Sequence, residues 1–128
     1  MSYYFSKIVD DDFEPAIERV TARLAEAGFG VLTTIDVSGT LKKKIDVDFQ
    51  RYTILGACNP GFAYKALQAE DKIGTMLPCN VIVQETGDGK VEVAAVDPMA
   101  SMMAIENEAL GEVAAEVQAM LKNVIESL

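Results

Sequence analysis

The period of the hydrophobic positions changes repeatedly along the chain, and each change marks an element. From Tyr3 to Val9 aromatic and β-branched residues set Tyr3, Phe5, Lys7 and Val9 on one side and Tyr4, Ser6 and Ile8 on the other, the pattern of a strand. Asp10, Asp11 and Asp12 then offer an N-cap. Phe13, Ile17, Val20 and Leu24 recur at helical spacing until Gly28 ends the pattern, with Pro15 in the first turn, where its missing N–H has no partner to lose. Phe29, Val31, Thr33, Ile35 and Val37 alternate against smaller or polar neighbours, predicting a second strand that ends at Ser38 and Gly39.

Residues 40–45 predict a short helix. "RYTILGAC" follows, with the near-continuous apolar character of a strand inside a sheet. Asn59 is a good N-cap and Pro60 a good first helical residue, so a helix is predicted over residues 60–71, burying Ala63, Ala66 and Leu67, with Gly74 as the stop. "LPCNVIVQE" and "VEVAAVD" read as two strands joined by "TGDGK", a tight turn of residues that accept positive φ. "PMASMMAIENEA" predicts a short helical turn. The plainest helix is the last, where Leu110, Val113, Ala114, Val117, Met120, Leu121, Val124, Ile125 and Leu128 keep an i, i+3, i+4, i+7 pattern.

Crossover helices favour parallel neighbours and the Gly-rich hairpin an antiparallel pair. The expectation is therefore an α+β fold: a two-layer sandwich with a mixed sheet of about five strands and helices packed on one face. The sheet's other face is then polar or covered by a partner. No internal repeat, low-complexity tract or linker divides residues 1–128, so a single domain is expected, long enough at 128 residues to bury about two-thirds of its unfolded surface.

Charge narrows the partners. Eleven Lys and Arg against twenty Asp and Glu give a net charge of −9, which repels a phosphate backbone or an anionic membrane. Nucleic acid and membrane are therefore not expected as partners. The basic run Lys42, Lys43 and Lys44 is followed closely by Asp46 and Asp48 and reads as a solvated turn. The opening residues lack a cationic region followed by an apolar stretch, and no segment approaches about 18 apolar residues. A cytoplasmic protein is the expectation, with Cys58 and Cys79 as free thiols.

Cys58 carries the clearest candidate chemistry. It lies just before a helix start, where free N–H groups and the positive end of the helix dipole favour a thiolate, making it the best nucleophile candidate. The chain has no histidine, which removes Cys-His pairs, histidine-containing zinc sites and Ser-His-Asp triads within one subunit. The commoner fate of both cysteines is to be small buried apolar side chains. In a regular crossover Cys58 and Cys79 would lie at opposite ends of the sheet, an argument that holds only if their strands are parallel neighbours.

Asn59, Pro60 and Gly61 could also hold a carboxylate or phosphate on free N–H groups, although Asn59 reads first as a cap. Met99, Met102 and Met103, with Met76 elsewhere, could bind Cu(I) beside a thiol, but gap-filling in the core is the commoner use of such residues. Neither a metal nor a cofactor is expected.

The words "YTILGACNPGFAYKAL", "GTMLPCNVIVQE" and "VEVAAVDP" resemble the conserved-hypothetical family called domain of unknown function 302, over nearly the whole chain. The resemblance implies a small prokaryotic α+β domain, a homodimer, with no established reaction. Its signature falls on Gly56, Cys58, Asn59, Pro60, Ala63, Leu67, Leu77, Pro78, Cys79 and Asn80.

Three functions then compete. The first is a non-enzymatic homodimeric domain binding a small ligand or partner near Asn59, Pro60, Gly61, Cys79 and Asn80, with Tyr52 and Tyr64 as an apolar wall with polar tips. The second is a thiol enzyme or redox carrier with Cys58 as nucleophile and Cys79 as resolving thiol. The third is a structural interaction module whose dimer uses the open sheet face and the last helix.

Overall fold

A computed structural model describes residues 2–128 and places eleven elements along the chain. They are β1 (Tyr4–Val9), α1 (Phe13–Glu26), β2 (Gly30–Asp36), α2 (Val37–Ile45), β3 (Tyr52–Cys58) and α3 (Pro60–Ala69). A 3-10 helix (Asp71–Met76), β4 (Cys79–Glu85), β5 (Val91–Val96), α4 (Pro98–Ser101) and α5 (Glu108–Glu126) complete the order.

The architecture is the expected α+β sandwich, but the sheet is not mixed. Its order is β1-β5-β4-β3-β2, and every neighbouring pair is antiparallel. The expectation of parallel neighbours assumed that a helix between two strands carries the chain to the far end of the sheet. Here α3 and the 3-10 helix leave and return at one end, because Ala57 lies opposite Cys79. Likewise α2 brings the chain back from Asp36 to its neighbour at Thr53. Only α1 crosses the sheet, from one edge strand to the other.

Local chemistry sets the boundaries. Asp36 accepts a hydrogen bond from the Gly39 N–H at 3.0 Å, so α2 starts three residues before the expected helix, directly at the strand end. Asp12 occupies the N-cap of α1 without a side-chain bond, while Asp11 pairs with Arg19 at 2.6 Å. The Arg19 hydrogen bond holds the Asp11 carboxyl below its usual range. Gly28, at φ 91°, turns the chain out of α1 as a left-handed residue. The helix after Asn59 stops at Ala69, and Gly74 falls inside the 3-10 segment. Of the three residues expected to be buried there, Ala66 is buried and Ala63 half-buried, but Leu67 is 44% exposed. The inward side of α3 is set by Phe62, Ala63 and Ala66, and Leu67 lies off it.

Two hydrophobic clusters result. In the larger, Phe13, Val20 and Leu24 of α1 and Val117, Leu121 and Ile125 of α5 pack on Leu55, Val81, Val83 and Val93 of the sheet. In the smaller, Ala66, Ile73 and Met102 pack on Leu110 and Ala114 of α5. Each large aliphatic side chain buried this way contributes about 1.5–3 kcal/mol. Asn107 ties the parts together: it accepts from the Leu110 N–H at 3.3 Å and donates to the Ala69 carbonyl at 2.8 Å, joining the end of α3 to the start of α5.

The face of the sheet away from α1 and α5 carries Tyr4, Ser6 and Ile8 of β1 and Glu92, Ala94 and Val96 of β5. Asn80, Ile82 and Gln84 of β4, Tyr52 and Ile54 of β3, and Ile35 of β2 share that face by register. Tyr4, Ile8 and Ile35 remain 43%, 48% and 48% exposed. Glu92 is the single charged residue of this set, in a chain of net charge −9. No helix among the described residues is long and apolar enough to cross a membrane.

Candidate functional site

The end of β3 and the start of β4 form the corner to which the sequence drew attention. Antiparallel pairing puts Ala57 opposite Cys79, so Cys58 lies one step along the partner strand. The condition behind the expected separation of the two cysteines does not hold: residues Cys58 and Cys79 both border one cavity, with the Cys79 side chain on the core face beside Ala57 and that of Cys58 alternating to the other face. It sits at the seam of the two hydrophobic clusters, bounded by Phe29 and Ala57 of the larger and by Ala66, Met102 and Leu110 of the smaller. Its volume is about 40 Å³ and its wall is almost wholly apolar.

Asn59 also borders the cavity, mainly as a cap. Its Oδ1 accepts from the Phe62 N–H at 3.3 Å, and its carbonyl accepts from the Ala63 N–H at 2.9 Å. A Cβ on Gly28 would stand 3.1 Å from Asn59 Nδ2, so this glycine leaves room for the amide as well as supplying positive φ. Pro78, after a cis peptide bond from Leu77, closes one side. Gly56 is equally constrained: a Cβ there would overlap Thr33 Oγ1 and lie 2.8 Å from Pro78 Cγ.

The remaining expected site residues lie outside this cavity. Pro60 and Gly61 are exposed in the first turn of α3, and Tyr64, 64% exposed, lies outside the cavity wall. Tyr52 and Asn80 belong to the opposite sheet face, where they line a shallow groove of about 380 Å³ with Tyr3, Tyr4, Gln84 and Glu92, and Asn80 also borders a hollow of about 260 Å³ beside Pro78, Cys79 and Met102. Gln84 Nε2 donates to Glu92 Oε1 there at 2.8 Å. Burial, and then the nearby Tyr3 and Glu92, raise the Tyr52 hydroxyl above its ordinary range. Sequence reasoning missed the α5 side chains of the cavity wall, Leu110, Val113, Ala114 and Val117, whose helical spacing marks a buried face without saying what it faces.

Burial, followed by the charge of nearby Cys58, pushes the Cys79 thiol up to about 11 from 9.0. The folded protein keeps this proton where the unfolded chain releases it, so the group's contribution to stability is whole below pH 9.0 and declines as pH climbs toward about 11. At pH 8 only about one Cys79 in a thousand carries a thiolate. Iodoacetamide labelling of Cys79, followed by peptide mass, is expected to be slow at pH 8 and to accelerate with pH through that range. Labelling at pH 8 as fast as a small free thiol would contradict the burial described. Among the described residues, no group of three His, Cys, Asp or Glu side chains is arranged to hold a metal ion.

Comparison with known proteins gives a consistent picture of the fold. The family model "Domain of unknown function DUF302" matches residues 5–128. A crystal structure of an uncharacterized conserved DUF302 protein from Bacillus stearothermophilus is similar, with 28% identity, a TM-score of 0.91 and coverage of 98% of both chains. No curated protein matches the chain.

Proposed function

The chain belongs to the family called domain of unknown function DUF302, a membership that supplies a fold and no chemistry, and from that premise we propose a non-enzymatic homodimeric domain that binds a small ligand at the Cys58–Cys79 corner. The observation that carries this reading is the shared cavity: two strand ends, the Asn59 cap and α5 leave a space at the seam of two otherwise packed clusters. Such spaces are few in packed interiors, because voids forfeit contact energy.

Volume sets the size of the occupant. A dry cavity of about 150 Å³ holds benzene, whereas this one measures about 40 Å³. The ligand is therefore a group of very few atoms, or the end of a larger molecule, and the apolar wall selects against strongly hydrated species. The thiol-relay alternative gains no support from Cys79, whose raised pKa leaves it protonated and poorly nucleophilic near neutrality.

Xenon is a suitable probe, since it enters small apolar cavities without needing hydrogen bonds. Saturable xenon-induced shifts are expected for the methyl groups of Ala57, Ala66 and Val113 in carbon–proton spectra, and Ala63→Leu, which adds bulk to the wall, is expected to abolish them. Shifts confined to other parts of the fold, or unchanged by Ala63→Leu, would remove the site.

Self-association is the second half of the proposal. In a chain of charge −9, a sheet face whose strand residues include one charged side chain, Glu92, lets two copies approach with little like-charge repulsion. Stacked sheets pack about 10 Å apart through such alternating apolar rows. The second copy is the occupant proposed for that face, in an isologous twofold arrangement.

A further inference from the structure

Residues 37–50 join β2 to β3 as an arm made of α2 and an irregular return limb. α2 contains no buried residue, although Val37, Leu41 and Ile45 recur every fourth position along one side. Ile45 is 63% exposed, and Val47 and Phe49 on the limb are exposed as well. A nine-residue helix is marginal in water by itself and takes its stability from covering an apolar stripe. The limb lies on the open side of the sheet: Gln50 Nε2 donates to Gln84 Oε1 at 2.7 Å, and the Phe49 ring centre stands 6.1 Å from that of Tyr52.

Charge indicates what covers the arm. Lys42, Lys43 and Lys44 fall in the last turn of α2. Lys42 pairs with Asp46 and Asp48 at 3.0 and 3.1 Å, while Lys43 and Lys44, both exposed, join no ion pair among the described residues. The arm leaves the β2 edge at the end of the sheet where Ile8, Glu92, Gln84 and Tyr52 form one cross-strand row. At the β1 end of that row Ile8 is exposed, and Asp10, just beyond it, is exposed and likewise in no ion pair among the described residues. Val9 between them faces the core, so Asp10 alternates to the open side with Ile8. One edge of the sheet thus carries apolar groups with two uncommitted cations, and the other carries an apolar group beside carboxylates.

We propose that residues 37–50 form a clasp exchanged between two copies of the chain. Each arm lies over the partner's β1 edge, with its apolar side chains on the partner's Ile8 and its Lys43 and Lys44 against the partner's Asp10 and Glu92. The proposal rests on the reading of the open face as the surface of self-association, and adds to it a segment and an axis. A twofold axis between two stacked sheets runs either along the strands or across them. Across them, β2 meets β2 and each arm reaches the opposite end of the partner's sheet, away from Asp10 and Glu92. Along them, β2 of one copy lies over β1 of the other with like ends together. The strand order β1-β5-β4-β3-β2 then sets β4 on the axis and both arms on carboxylates.

The test uses the full chain and reads self-association by sedimentation. Lys43→Glu with Lys44→Glu is expected to weaken the dimer at least about tenfold, because like charges then face each other. Asp10→Lys with Glu92→Lys is expected to do the same, and the four substitutions together to restore the dimer. An independent readout is a zero-length carbodiimide crosslink, which joins an amine to a carboxylate in contact with it, on a dimer reassembled from heavy-isotope-labelled and unlabelled copies. Mixed-isotope peptides joining Lys43 or Lys44 to Asp10 or Glu92 are expected. This readout needs no variant and decides the matter if a variant does not fold. A parent that sediments as a monomer would remove the face and the clasp together. A dimer unmoved by the lysine substitutions, a folded fourfold variant that stays apart, or the absence of those mixed-isotope crosslinks would remove the clasp and leave the sheet face standing.

Discussion

Replacing Gly56 by Val is expected to lower the melting temperature by about 10 °C, a loss of about 3 kcal/mol. Gly56 lies inside the sheet, opposite Asn80 on β4 and Thr33 on β2. A Cβ there already overlaps Thr33 Oγ1 and stands 2.8 Å from Pro78 Cγ. The threonine can rotate; the proline ring, fixed in the chain that leads into β4, cannot follow as easily. A non-glycine residue in a strand would ordinarily gain up to about 1 kcal/mol from the unfolded state, which is too little to offset overpacking by a branched side chain. Calorimetry of Gly56→Val, Thr33→Ala and the double variant checks the cause. Partial recovery in the double variant is expected, because removing the threonine hydroxyl relieves the nearer overlap and leaves the proline contact. A Gly56→Val melting point equal to that of the parent would mean that this signature glycine is not held by packing.

Placing Lys at position 82 is expected to turn a dimer into a monomer. Ile82 is central on the open face, on the middle strand of the sheet and flanked on that face by Ile54 and Ala94. In a twofold stack of two such faces a lysine near the axis meets its own image, and either its charge is buried unpaired or the sheets part. Either outcome costs more than one isoleucine contributes. Sedimentation should give twice the chain mass of 13.8 kDa for the parent and 13.8 kDa for Ile82→Lys. Ala119→Lys, on the exposed side of α5, serves as the control and should leave the dimer intact. A parent protein that sediments as a monomer at micromolar concentration, or dissociation by Ala119→Lys alone, would defeat the sheet-face dimer.

The elements with a strong local period were legible in the sequence. The alternation of β1, the capped start at Asn59 and Pro60, the turn between β4 and β5, and the apolar stripe of α5 are each written within a few residues. Strand direction was not, because a helical connection looks the same whether it crosses a sheet or doubles back. That single ambiguity left the separation of Cys58 and Cys79 conditional on strand direction. Tyr52 and Asn80 were grouped with Asn59 through the two cysteine words at the end of β3 and the start of β4, yet they lie on the other face of the sheet. Strand alternation held the correction: Val81 and Val83 face the core, so Asn80 and Ile82 must point the other way. Met102 reached the corner from the far side of the hairpin, and no local pattern announces a contact at that distance in sequence.

Residues 59–78 leave the sheet at Cys58 and return beside their point of departure at Cys79. A segment anchored at two neighbouring points can lift as a flap while every rung of the five-stranded ladder stays intact. Its hydrogen bonds to the rest of the fold, such as that from Asn107 to the Ala69 carbonyl, are few and lie at its far turn. Release of this segment exposes Ala66 and Ile73 of the smaller cluster and so costs their burial, while the ladder itself stays paired.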